Sequence, residues 1–136
     1  MPYEELPHTA DIRIKVYAET PEALFYEGVI ALFSIIFGKT PSCNGPKKDS
    51  FNITSEDIDI LFHDFLDEIL YITLVLKRKI CNFQVKLNEN SVHFEYSYEN
   101  LDFEKEVKKE IKAITYHNLH IDKKGSMYQT EVVMDV

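Results

Sequence analysis

The stretch ALFYEGVIALFSIIF, residues 23–37, constrains the fold more than any other part of the chain. At helical spacing Leu24, Val29, Leu32, Phe33 and Ile36 form one apolar face, and Phe25, Ile30 and Ile35 widen it. A helix with so little polar surface has to be enclosed. A bilayer does not suit it, because the run falls short of the ~20 apolar residues a membrane core demands, and Glu27 interrupts it. The rest of the chain must therefore cover it. Local signals set its limits at Pro21 and Phe37. Thr20 can accept a bond from a first-turn amide, Pro21 sits where a missing N–H costs nothing, and Gly38 offers a left-handed stop.

Strands supply the cover. DIRIKVYAE (11–19) alternates Ile12, Ile14, Val16 and Ala18 against polar neighbours, the period of a strand with one face buried. GKTPSCNGPKKD (38–49) collects loop formers, and a short strand follows at 50–54. Ser55 is placed to cap a second helix over about 56–78, with Glu56 and Asp57 at its positive end and Lys77, Arg78 and Lys79 at its negative end. CNFQVKLN and SVHFEYSY return to period two and predict a hairpin around Asn88–Asn90. Residues 99–110 fit a loop, a short helix or an edge strand equally well. Residues 111–121 and 126–136 read as a second hairpin about Asp-Lys-Lys-Gly. This order predicts one α+β domain over residues 1–136, with two long helices packed on mixed, mostly antiparallel β-sheet structure.

The net charge of −8 narrows the partners. Nucleic-acid affinity rests largely on Lys and Arg displacing counterions at phosphates. No basic stripe with interleaved aromatics occurs, so strong autonomous binding to nucleic acid is not expected; a protein, a metal ion or both fit better. Cys43 and Cys81 lie far apart and match no metal-ligand spacing. Together with an N-terminus that does not read as a signal peptide, they point to a reducing cytoplasm and unpaired thiols. No membrane association is expected.

Familiar catalytic motifs are missing. There is no Gly-x-x-x-x-Gly-Lys loop, nucleophile elbow or Cys-x-x-Cys, and the four glycines are not spaced to cradle a phosphate. Asp57, Asp64 and Glu68 read as the polar face of the second helix. His63, lacking a His-x₃-His partner, does not make a zinc pair. Three polar groups remain: His8 and Asp11 near the start; Lys112, Thr115 and His117 in the penultimate strand; and Asp135 with the Val136 carboxylate at the end. Acidic groups held close repel unless a cation neutralises them, and hard cations take oxygen ligands. If the first strand runs beside the last, Asp11 completes a small oxygen cage. Otherwise Asp11 is a strand-capping aspartate, Lys112 a solvent-facing lysine and His117 a partly buried, hydrogen-bonded histidine.

Taken together, HTADIRI (8–14), TPEALFYEGVIALFSIIF (20–37), FHDFLDEILYI (62–72), EIKAITYHNL (110–119) and the terminal VVMDV resemble the archease family in order and spacing along the whole chain. The resemblance implies a small α+β protein with a divalent-ion site, calcium in particular, joining the two ends of the chain. By position the ligands are Asp11, Asp135 and the main-chain oxygen of Val136. Lys112 matches a residue needed for activity, and His8 and His117 fall at motif positions suited to supporting the site. The resemblance further implies a non-enzymatic cofactor of an RtcB-type RNA ligase in tRNA splicing and RNA repair. It would speed formation of the ligase–guanylate intermediate and allow multiple turnover. A chaperone-like modulator of a tRNA methyltransferase is the second reading. An independent metal-dependent hydrolase is the third, weakened by the lack of an activated nucleophile.

Overall fold

The computed structural model describes residues 11–136. Its elements run β1 (Asp11–Ala18), α1 (Pro21–Phe37), β2 (Lys47–Thr54), α2 (Ile58–Leu74), β3 (Arg78–Leu87), β4 (Ser91–Asn100), the single turn α3 (Phe103–Glu106), β5 (Ala113–Ile114), β6 (Asp122–Lys124) and β7 (Met127–Asp135). One sheet has the order β1-β7-β5, with β6 also paired to β7; the other has the order β2-β4-β3. Every pairing among these strands is antiparallel. The α+β reading holds.

Helix α1 has the limits its local signals set. Thr20 Oγ1 accepts from the Ala23 amide at 3.0 Å, and Gly38 takes the left-handed conformation at φ 76°. Leu24, Phe25, Val29, Leu32, Phe33 and Ile36 are fully buried. Both helices touch strands of both sheets, so one core fills the space between them. Aromatic rings carry that core across the layers. Phe25 meets Phe62 edge-on at 5.0 Å between centroids, and Phe65 meets Phe94 at 5.6 Å. The helices approach closely at Gly28, where a Cβ would lie 2.9 Å from Phe62 Cζ.

Several boundaries differ from the sequence reading. The α2 cap is Asp57, whose Oδ1 accepts from the Asp59 and Ile60 amides. Ser55 instead accepts from the Asp57 amide at 3.2 Å. The helix ends at Leu74, because Lys77 adopts φ 56° and breaks the helical path; Arg78 and Lys79 already belong to β3. The ambiguous segment 99–110 closes β4, makes the α3 turn, leaves it through an extended Val107 and bends at Lys108–Lys109. Of the expected strand over 111–121 only Ala113–Ile114 forms, because a turn follows in which Asn118 has φ 57° and the Leu119 amide bonds to the Tyr116 carbonyl at 3.1 Å; Asp122–Lys124, expected within the hairpin turn, are strand β6 instead.

The expectation of unpaired thiols is overturned: Cys43 and Cys81 form a disulfide, with Cα atoms 5.0 Å apart. Sequence distance concealed this, since 38 positions separate them. Cys81 is the extra residue at a register break in β3, between Ile80 opposite Tyr98 and Asn82 opposite Ser97. Such a bulge re-aims a side chain. From the other side, the loop before β2 crosses the end of β4 to reach it. Gly45 makes that crossing possible, because a Cβ there would sit 2.6 Å from the Tyr98 nitrogen.

Candidate functional site

The first and last strands lie side by side. β1 and β7 pair along their whole length with Asp11 directly opposite Asp135, and Ile12 and Ile14 opposite Met134 and Val132. Val132, Val133 and Met134 are all buried, whereas at the end of the pair Asp11 is exposed and Asp135 half-buried. Directly opposed residues on one face come within side-chain reach, and two like charges there are unfavourable unless something neutralises them. Part of that neutralisation comes from Arg13, which sits 3.3 Å from Asp11 and 4.0 Å from Glu131. All these groups are well exposed, so the pairs contribute little to stability and stay open to exchange.

β5 lies on the other side of β7, with Ala113 opposite Asp135. The Lys112 amide donates to the Asp135 carbonyl at 2.8 Å, and the Thr115 amide to the Val133 carbonyl at 2.9 Å. The Lys112 side chain is exposed. Asp11, Asp135, the following Val136 and Lys112 are thus gathered at one end of one sheet. The donor set is oxygen only, with no Cys or His among the described members, which suits a hard cation such as calcium or magnesium and not zinc. The sequence-expected ligand set therefore fits such an ion by chemistry. His8 lies outside the described residues. His117 is exposed; its amide bonds to Thr115 Oγ1 at 3.2 Å, which corrects the expectation of a partly buried imidazole.

Behind the β5 segment stands a group that the sequence reading passed over. His63 is only 7% exposed. Its Nδ1 lies 2.9 Å from Asp64 Oδ1 and its Nε2 lies 2.8 Å from the Ile114 carbonyl. The carbonyl can only accept, so Nε2 carries a proton. Tyr116 stacks on the ring at 3.7 Å between centroids, and its hydroxyl donates to Asp64 Oδ1 at 3.2 Å. Desolvation, followed by the charge and hydrogen bond of Asp64, raises the Tyr116 pKa above its ordinary value. One turn earlier, Asp59 accepts from the Ile121 amide at 2.8 Å and pairs with His120 Nδ1 at 2.9 Å. The Asp59 bond and charge, with smaller contributions from Asp122 and Asp57, raise the His120 pKa above its ordinary value. Helix α2 thereby clamps residues 114–121 at both ends. A helical-spacing signal existed: His63 shares its line with Leu66 and Leu70, both buried.

Comparison with known proteins adds a lineage to this geometry. Residues 3–136 match the model of the Archease protein family. The chain is 33% identical over 144 residues to a protein archease of Methanosarcina mazei, covering 98% of this chain and 95% of that one. It is 32% identical over 142 residues to a protein archease of Pyrococcus abyssi, covering 98% of each. The crystal structure of an archease, described as a possible chaperone, from Thermotoga maritima superposes with a TM-score of 0.67. Identity there is 20%, over 98% of this chain and 97% of the other, so that likeness speaks for the fold.

Proposed function

The chain belongs to the archease family, and from that premise we propose that it is an accessory protein, not itself an enzyme, that activates an RtcB-type RNA ligase. It acts by promoting the ligase's guanylylation and multiple turnover in tRNA splicing and RNA repair, in the cytoplasm. Asp11, Asp135 and the main-chain oxygen of Val136 hold a divalent cation, calcium in particular. Lys112 reaches a phosphate or carboxylate of the ligase with its flexible, point-charged head, and His8 and His117 support the same end.

The observation that carries this reading is the register that sets Asp11 opposite Asp135, with the Lys112 amide bonded to Asp135. Residues from both ends of the described chain and from the Ile-Lys-Ala-Ile-Thr-Tyr-His segment are thereby united. A bound cation would relieve the repulsion between the paired carboxylates and add positive charge where phosphate chemistry needs it. Residues 114–121, clamped by His63 and Asp59, keep Lys112 in place.

The test is guanylylation of a purified RtcB-type ligase by GTP, with and without this protein, in parent, Asp135→Ala and Lys112→Ala forms. The parent should accelerate the step and the two folded variants should not. Equal stimulation by the variants would refute the role given to these residues. No stimulation by the parent, with a cognate active ligase, would favour the second reading, a chaperone-like modulator of a tRNA methyltransferase. The possible-chaperone description of the Thermotoga relative lends support to that alternative.

A further inference from the structure

The loop after α1 and the α3 segment meet across a cavity of about 330 Å³. Its walls include Lys39 and Ser42 from the loop, Lys79 from β3, and Lys105, Glu106 and Lys108 from α3 and its continuation. Four lysines and one glutamate around one cavity stand out in a chain of net charge −8. We infer that this cavity is a binding site for a compact polyphosphate anion, such as the triphosphate of a nucleotide.

The charges are arranged for it. Lys79 is committed to Glu99 at 3.7 Å and to Glu106 at 3.3 Å. Glu106 has one oxygen held by Lys79, and its other oxygen is buried without a hydrogen-bond partner, so the three remaining lysines have this one carboxylate to outweigh. Among the described residues Lys39, Lys105 and Lys108 make no ion pair, and all three are exposed. Like charges gathered around one concavity repel, and an anion between them removes that cost. Lysine acts on phosphate as a mobile point charge, and the Ser42 hydroxyl adds a neutral donor.

The walls are also fixed in place. The Lys108 and Lys109 amides both donate to the Ile36 carbonyl, at 2.7 and 3.2 Å, which joins the α3 continuation to the last turn of α1. Those bonds also occupy a carbonyl at the negative end of the helix, which would otherwise oppose an anion. The opposite wall is anchored one residue beyond Ser42, where Cys43 is bonded to Cys81 on the strand that carries Lys79. The volume is at the lower end of small-molecule sites. It suits a short anion better than a polymer backbone, which needs an extended basic track.

The site shares no residue with the Asp11–Asp135 end, and its test requires no ligase. Tripolyphosphate is titrated into the intact protein at low ionic strength by calorimetry, with ATP in a parallel series. Saturable one-to-one binding is expected, weakening as salt rises. Combined Lys39→Ala, Lys105→Ala and Lys108→Ala substitutions should weaken it by about tenfold or more, whereas Lys123→Ala with Lys124→Ala in the β6 hairpin should leave it within about twofold. Equal affinity for the two ligands assigns the site to the phosphates alone; tighter ATP binding adds the nucleoside. Absence of saturation, or parental affinity in the folded triple variant, overturns the inference.

Discussion

His63 shows how a single residue can serve two elements at once. Both of its ring nitrogens face acceptors, one in its own helix and one in the β5 backbone. Replacing it with leucine keeps the apolar contacts but leaves the Ile114 carbonyl buried without a donor. His63→Leu should therefore cost about 1–3 kcal/mol in urea denaturation, and His63→Gln, which can keep one donor, should cost less. An unchanged midpoint for the leucine variant would mean that water replaces the lost bond. In the sequence His63 reads with the acids on the polar face of α2, because its purpose lies in a carbonyl 51 positions away. The facing of β1 is legible in its alternation, whereas the register that sets Asp11 opposite Asp135 comes only from the fold.

At the scale of elements, α1 was readable to the residue because Thr20, Pro21 and Gly38 all act within one turn of its ends. The segment 111–121 was not, because its strand pattern yields to ties made by a distant helix. Asp59 draws the Ile121 amide and His120 toward the start of α2, and the chain turns at Asn118 to meet it. This tie carries a pH signature. The His120 pKa is raised above 6.5 in the folded protein, so its contribution to stability is fully present below that value. It is lost as pH rises through the higher folded pKa. Thermal denaturation of parent and His120→Gln across this range should show a gap at acidic pH that closes at alkaline pH. A gap of constant size would assign the effect to packing.

For the whole molecule, the decisive closures are between regions far apart in sequence: β1 with β7, and Cys43 with Cys81. Neither pairing is written in local periodicity; each required the fold to be known. The disulfide closes a loop of 38 positions, and restricting the unfolded chain in this way is worth about 2–4 kcal/mol. Reductant, or the paired Cys43→Ser and Cys81→Ser substitutions, should lower the urea-unfolding free energy by that amount. A transition unmoved by reductant would mean that the thiols are not joined in solution. If the protein works in a reducing compartment, the bond has to resist glutathione, which buried Cys81 assists by limiting access.

The pairing of β1 with β7 also sets an order of events during synthesis. β1 leaves the ribosome early, but the strand that completes it is made more than a hundred residues later. At typical elongation rates of ~5–20 residues per second, the apolar side of β1 waits on the order of ten seconds for its partner. In that interval α1, α2 and the β2-β4-β3 sheet can assemble from contacts nearer in sequence. The Asp11–Asp135 end is therefore among the last parts of the molecule to exist, and a nascent chain stalled before β7 would lack both the acidic end and the Val132 and Met134 side of the core.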